Sequence, residues 1–284
     1  MPEFELHSAL LPSGNATFLV AGPGNSEPVM LLHGGGLDCA PLSWRLLIPE
    51  LATTYRVIAP NWPGYAGSEA FGRPYKIPDL GHWLMGFMDL LRIEQASMIG
   101  VSMGGGAALW SAINRRERVK ALVPVATFGI SQRAPYHMLT FLLTKLPLNA
   151  VSFALLRRYP KLLRRSVEAI FADPRRVTPA LVAEVSEVLK TTGNGAAFTH
   201  FQRGETTITR LRSVFVEELK TISQPTLFVH GVKDALVPVE AVKAASNGIH
   251  NARLEVMDAG HWPMREQPEA FNDLIVSFLE RATR

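Results

Sequence analysis

Gly100-Val101-Ser102-Met103-Gly104, read with Gly105 and Gly106 after it, is the stretch on which the fold turns. The apolar run Ala96 to Val101 precedes it and a helix-periodic segment, Met103 to Arg115, follows, so the spacing predicts a strand, a tight turn and a helix. By composition alone, G-x-S-x-G arises in about one in ten chains of this length, with glycine and serine near 7 % each. Position supplies the information. At a strand-to-helix turn the glycines relieve crowding and the serine oxygen projects from the strand's carboxyl end, as in a nucleophile elbow.

Working outward, apolar runs alternate with helical patterns, which indicates an α/β sheet. Strands are expected at Phe4 to Leu10, Thr17 to Ala21, Val29 to His33, Tyr55 to Ala59, Ala96 to Val101, Val119 to Val125, Thr226 to His230 and Arg253 to Met257. Most of the later ones are short and solidly apolar, as parallel strands covered on both faces are. Helices are expected at Pro41 to Leu51, Ile77 to Leu91, Met103 to Arg115, Val239 to Asn247 and Pro268 to Arg281. Between Gly129 and Arg212 no strand signal appears, and Pro135, Pro147, Pro160, Pro174 and Pro179 punctuate helical segments. This reads as a helical cap, residues 129–212, inserted into one catalytic domain made of residues 1–128 and 213–284.

A serine hydroxyl needs a base within hydrogen-bond reach before it becomes a useful nucleophile. Of eight histidines, His261 in Asp258-Ala259-Gly260-His261-Trp262 follows the last strand, where the sheet's carboxyl edge would present it. His33 and His230 end strands ahead of glycines and read as structural. A carboxylate must hold the imidazole in one tautomer. Asp234, in the loop after the preceding strand, gives the chain order Ser102, Asp234, His261. Asp258 is the rival acid, and the loop after Val119 to Val125 offers none. The tetrahedral oxyanion needs backbone donors, for which His33-Gly34-Gly35-Gly36 supplies the Gly35 amide and the elbow the Met103 amide. No lysine and hydroxyl follow Gly36 as a phosphate cradle requires, no dinucleotide fingerprint precedes Gly104, and no H-E-x-x-H, H-x-x-E-H or paired-cysteine spacing marks a metal site.

With His33 to Gly36, Asn61-Trp62-Pro63-Gly64-Tyr65-Ala66-Gly67-Ser68, the Ser102 elbow, Asp234 and His261 in this order, the chain resembles the α/β-hydrolase superfamily across its length. The resemblance implies a mostly parallel eight-stranded sheet with helices on both faces, a helical cap after strand 6, and a covalent acyl-enzyme route without cofactor or metal. The glycine triplet, Ser102-Met103-Gly104-Gly105 and Gly260-His261-Trp262 look like the meta-cleavage-product hydrolases, which cut carbon–carbon bonds in aromatic breakdown products. That family usually has asparagine at Val101 and proline at Leu37. An esterase or lactonase, needing only triad and oxyanion hole, is therefore the expected activity, with Gly36, Val101 and Trp262 as substrate-binding positions. Ser-Met-Gly-Gly-Gly also resembles the cofactor-free haloperoxidases, and some members of the superfamily only bind ligands. Ser102 argues against the aspartate-nucleophile dehalogenases and epoxide hydrolases.

Composition bounds the rest. With 47 % hydrophobic and 19 % charged residues the chain is neither disordered nor fibrous. The lone Cys39 forms no internal disulfide, and Met1 to Gly14 has neither basic nor apolar signal regions, so a cytoplasmic setting is expected. The net charge of +4 hides an unequal split: Gly129 to Arg212 holds 13 basic and 5 acidic residues, the remainder 16 and 20. The segment opened by Pro160 puts Lys161, Arg164 and Arg165 on one helical face and Leu163, Val167, Ile170 and Phe171 on the other. A solvated outer face is expected, with steering of an anionic substrate or weak association with a membrane surface as the other readings, and without stable membrane insertion. Met138, Leu139, Phe141, Leu142, Leu146 and Phe153 suggest an apolar cavity lining or a cap core. The expected partner is a small-molecule ester, lactone or ketone, not nucleic acid; the oligomeric state is not legible.

Overall fold

The structure is a computed structural model and describes residues 4–191 and 195–282. Eight strands form one sheet: β1 (Glu5–Leu11), β2 (Gly14–Ala21), β3 (Pro28–Leu32), β4 (Arg56–Pro60), β5 (Ala96–Val101), β6 (Val119–Val125), β7 (Thr226–Gly231) and β8 (Ala252–Met257). Their order is β1-β2-β4-β3-β5-β6-β7-β8. The β1–β2 and β2–β4 pairs are antiparallel and all later pairs parallel. Reversal at the first two strands follows from the two-residue loop that returns β2 beside β1 with Leu11 opposite Gly14.

The central parallel strands β3 and β5 are apolar and covered on both faces, whereas the edge strand β8 carries Arg253 and Glu255 and is largely exposed. Val29 and Leu31 of β3 pack into one hydrophobic layer, Met30 and Leu32 into the other. The two-residue side-chain period thus splits one run of sequence between two cores.

Helices α1 (Ala40–Trp44) and α2 (Ile48–Leu51) replace the single helix expected over Pro41 to Leu51. Pro49 has no N–H to bond the carbonyl four residues back, so the helix stops and restarts around it. Then come α3 (Ile77–Leu90), α4 (Met103–Asn114), and five helices between β6 and β7: α5 (His137–Leu143), α6 (Leu148–Arg158), α7 (Pro160–Glu168), α8 (Pro179–Thr191) and α9 (Ala196–Glu205). The chain ends with α10 (Val239–Asn247), α11 (Pro263–Glu266) and α12 (Pro268–Ala282).

The inner sides of α6, α7 and α8 are not a separate core. Phe153, Leu156, Leu163, Val167, Leu181 and Val185 belong to the same apolar cluster as Val101 and Val125 of the sheet. Two buried glutamates tie this helical layer down. Glu205 accepts hydrogen bonds from the Ile77 amide (2.6 Å) and from Ser213 Oγ (2.7 Å) and N (2.9 Å). Burial raises its pKa against the pull of these donors. Glu266, its side chain fully enclosed, accepts from the Ala172, Asp173 and Gly260 amides at 3.0, 3.0 and 2.8 Å and from Arg176 at 3.3 Å.

Candidate active site

Ser102 sits between β5 and α4 with φ 54° and ψ −115°, a conformation an L-residue holds only when its surroundings impose it. They do so through backbone: the Ser102 amide donates to the Val125 carbonyl (2.9 Å), and its carbonyl accepts from Gly106 (3.0 Å) and Phe128 (3.0 Å). The flanking glycines are required by space. A Cβ on Gly104 would lie 2.2 Å from the Leu32 carbonyl oxygen, and one on Gly100 2.4 Å from that of Gly104.

The loops after β7 and β8 meet because Gly231 has no side chain; a Cβ there would stand 2.0 Å from the Gly260 carbonyl oxygen. This contact brings Asp234 and His261 together, with His261 Nδ1 2.8 Å from Asp234 Oδ2. The other carboxylate oxygen accepts from the amides of Leu236 (2.7 Å) and Val237 (3.1 Å). Burial disfavours the charge on Asp234, but the His261 bond and these amides outweigh it and hold the carboxyl below its ordinary range. Asp258, the rival acid, is exposed and pairs with Lys233 at 2.9 Å. The His261 amide donates to Ile170 in the segment following α7 (2.7 Å), so the helical layer fixes this loop directly.

Ser102 and His261 border one cavity of about 420 Å³ beneath α6–α9. Ser102 Oγ makes no hydrogen bond among the described residues. Of the positions expected to bind substrate, Gly36 and Trp262 line this cavity. Val101 does not: it is fully buried in β5, within the core on the sheet face below. Gly35 and Met103 also line the cavity, and neither amide donates to a protein acceptor among the described residues. Their neighbours differ. The Gly34 amide donates to Asp38 Oδ2 (2.7 Å) and that of Gly36 to the Tyr65 hydroxyl (3.3 Å). The Met103 amide is moreover the first of α4, where the helix dipole favours negative charge.

Asp38 escaped sequence reasoning. It is fully buried, takes the Gly34 and Cys39 amides and the Ser43 hydroxyl (2.7–2.8 Å), and so anchors the glycine triplet from behind. Burial outweighs these donors and pushes its pKa up to about 6. Its only sequence signal was an acid four residues beyond a glycine turn.

His33 is the second anchor. The Trp62 amide donates to its Nε2 (3.0 Å), so Nδ1 carries the proton and donates to the Gly34 carbonyl (2.7 Å). Burial, opposed by that carbonyl, lowers its pKa to about 3. His230 is likewise buried, with Nε2 3.0 Å from the Val237 carbonyl.

The remaining walls are mostly apolar, with Phe153, Leu156, Phe198 and Phe201 foremost and Asn149, Ser166 and Gln202 as the polar side chains, and contain no lysine or arginine among the described residues. Of the side chains expected to line a cavity or fill the cap core, Phe153 lines it. Met138, Leu139, Leu142 and Leu146 are instead 52–54 % exposed. Helices α5 and α6 meet at a bend of 86°, and no α5 residue lines the cavity among the described residues.

A model of the alpha/beta hydrolase fold family matches residues 27–268, and the chain belongs to that family: it is a hydrolase. It is similar to the 2-hydroxymuconate semialdehyde hydrolase of Pseudomonas sp. (strain CF600), 31 % identical over 272 residues, which cover 91 % of this chain and 89 % of that one. The solved meta-cleavage product hydrolase of Pseudomonas fluorescens IP01 matches with a TM-score of 0.80 and 29 % identity over 97 % of this chain and 98 % of that one. The enol-lactonase of Burkholderia xenovorans LB400 shares the fold, with a TM-score of 0.77 at 22 % identity over 96 % of this chain and 100 % of that one.

Proposed function

We propose that the protein is a serine hydrolase that cleaves a small or medium carboxylic ester or lactone of uncharged, apolar character. Ser102 Oγ attacks the carbonyl carbon while its proton passes to His261 Nε2, and Asp234 holds the imidazolium through Nδ1. The Gly35 and Met103 amides stabilise the oxyanion. Collapse expels the alcohol with the His261 proton and leaves an acyl group on Ser102; water, deprotonated by His261, then releases the acid. The observation that carries the choice of substrate is the wall: apart from His261, no ionisable side chain lines the cavity among the described residues, so no lysine or arginine there offsets the cost of desolvating a substrate carboxylate.

Carbon–carbon cleavage of a ring-fission dienoate is the second reading, favoured by the similarity to the two Pseudomonas hydrolases. The two separate on one preparation offered p-nitrophenyl esters and a ring-fission dienoate, with Ser102→Ala as blank. Faster turnover of esters, lost in Ser102→Ala along with fluorophosphonate labelling, is expected. Dienoate consumption at an equal or higher kcat/KM would overturn the ranking, and wild type left unlabelled would overturn the serine mechanism.

A further inference from the structure

The outer surface of α5, α6 and α7 is unlike the rest of the molecule. Among the described residues, ten of the nineteen large apolar side chains that are exposed lie between Tyr136 and Leu162. They follow helical faces: Met138 with Leu142, Leu139 with Leu143, and Val151, Leu155, Tyr159 at four-residue steps. From Arg118 to Val167 the chain runs fifty residues without a carboxylate, and seven cations are set among these apolar residues between Arg133 and Arg165. Arg164 pairs with Glu168, whereas no carboxylate pairs with Lys145, Arg158, Lys161 or Arg165 among the described residues.

We propose that this face of α5–α7 docks on the surface of an anionic phospholipid bilayer. Charge chooses the occupant. A second copy of the chain would set these cations against their own kind with no acid between, and a nucleic acid would leave the leucines unburied. Anionic headgroups over an acyl layer satisfy both halves of the surface. Tyr136, 85 % exposed, and Tyr159, 52 % exposed, suit headgroup depth, where an aromatic ring with a polar tip is favoured.

Length sets the mode. Helices of 7 and 11 residues are about 10 and 16 Å long, against a hydrocarbon layer of about 30 Å, and the 86° bend keeps them from joining into one rod. They lie in the interface and do not span it. On α6, Val151 and Leu155 face outward while Phe153 and Leu156 line the cavity, so docking sets one wall of the Ser102 cavity against the bilayer. A substrate dissolved among acyl chains then reaches the site with little exposure to water.

The test reads binding, so it stands or falls apart from the ester reading. The full chain is floated with vesicles of phosphatidylcholine, or of phosphatidylcholine and phosphatidylglycerol at three to one. Expected is binding to the anionic vesicles that weakens with salt and is slight on neutral ones. Lys161→Gln/Arg165→Gln should weaken it roughly 25-fold, at about fivefold per cation. Leu139→Ser/Leu142→Ser should weaken it by roughly tenfold per leucine. Both variants change exposed side chains and should keep the wild-type melting temperature. Absence of binding to anionic vesicles at low salt, binding undiminished in both variants, or a concentration-dependent dimer that both variants abolish would each overturn the proposal.

Discussion

The loops after β3 and β7 each bury an aspartate, and the two acids are pushed opposite ways. At Asp38 the hydrogen-bond donors are neutral, two amides and the Ser43 hydroxyl, the charge of His261 contributes least, and burial prevails, raising the pKa to about 6. Asp234 also has two amides, but its third partner is the His261 imidazole, and its pKa falls. A direct hydrogen bond to a partner able to take positive charge therefore favours the anion of a buried carboxylate. It also separates two placements: Asp234 holds the His261 side chain, and Asp38 holds the Gly34 and Cys39 amides.

The comparison can be broken by exchanging each acid for its amide. The largest effect is expected for Asp234→Asn, which favours the wrong His261 tautomer and should lower kcat by about 10⁴-fold, read on a p-nitrophenyl ester, with little change in melting temperature. For Asp38→Asn, an amide nitrogen would face the Gly34 or Cys39 N–H, and the glycine triplet should shift. A fall in kcat of about 10²-fold with KM nearly unchanged is expected, the size of losing one oxyanion donor. An equal rise in KM and no fall in kcat would mean that Asp38 does not position the Gly35 amide.

Glu266→Gln comes next, because it replaces one acceptor in a site where three amides converge between the His261 loop and the segment after α7. Leaving a buried donor unsatisfied costs about 1–3 kcal/mol, a drop of several degrees in melting temperature. The smallest effect sharpens the comparison through pH. His33 is neutral in the fold down to about 3, so the unfolded chain binds more protons between about 3 and 6.5 and His33 loses stability as pH falls through that window. Asp38 works in reverse, since its raised pKa makes the fold bind more protons between 3.8 and about 6. Urea midpoints of Asp38→Asn should therefore fall more steeply than those of wild type from pH 6 to pH 4. Parallel curves would mean that Asp38 keeps an ordinary pKa.

Strand positions were legible because a buried parallel strand must be apolar on both faces; β5 and β6 lie where the runs Ala96 to Val101 and Val119 to Val125 put them. Helix ends were less so, since Pro49 divides α1 from α2 within one periodic pattern. The chain order Ser102, Asp234, His261 could be read because each follows a strand, and strands that share a sheet bring their carboxyl ends to one edge. Val101 shows the limit. The resemblance to a family with asparagine at this position made it a substrate-binding candidate, but Val101 is fully buried in the core and does not line the cavity.

What the sequence determined by itself was periodicity and order: an alternating α/β chain, a glycine-flanked serine at a turn, and a basic, proline-punctuated helical stretch between two strands. Tertiary structure alone decided how the Asp234 loop is brought onto His261, that Asp38 and Glu266 hold backbone amides, and that the leucines of α5 face outward. The physical reason is common to all three. Each depends on contacts between loops or helices whose relative placement no local pattern encodes: the approach of Gly231 to Gly260, the burial of an acid behind a turn, and a bend of 86°.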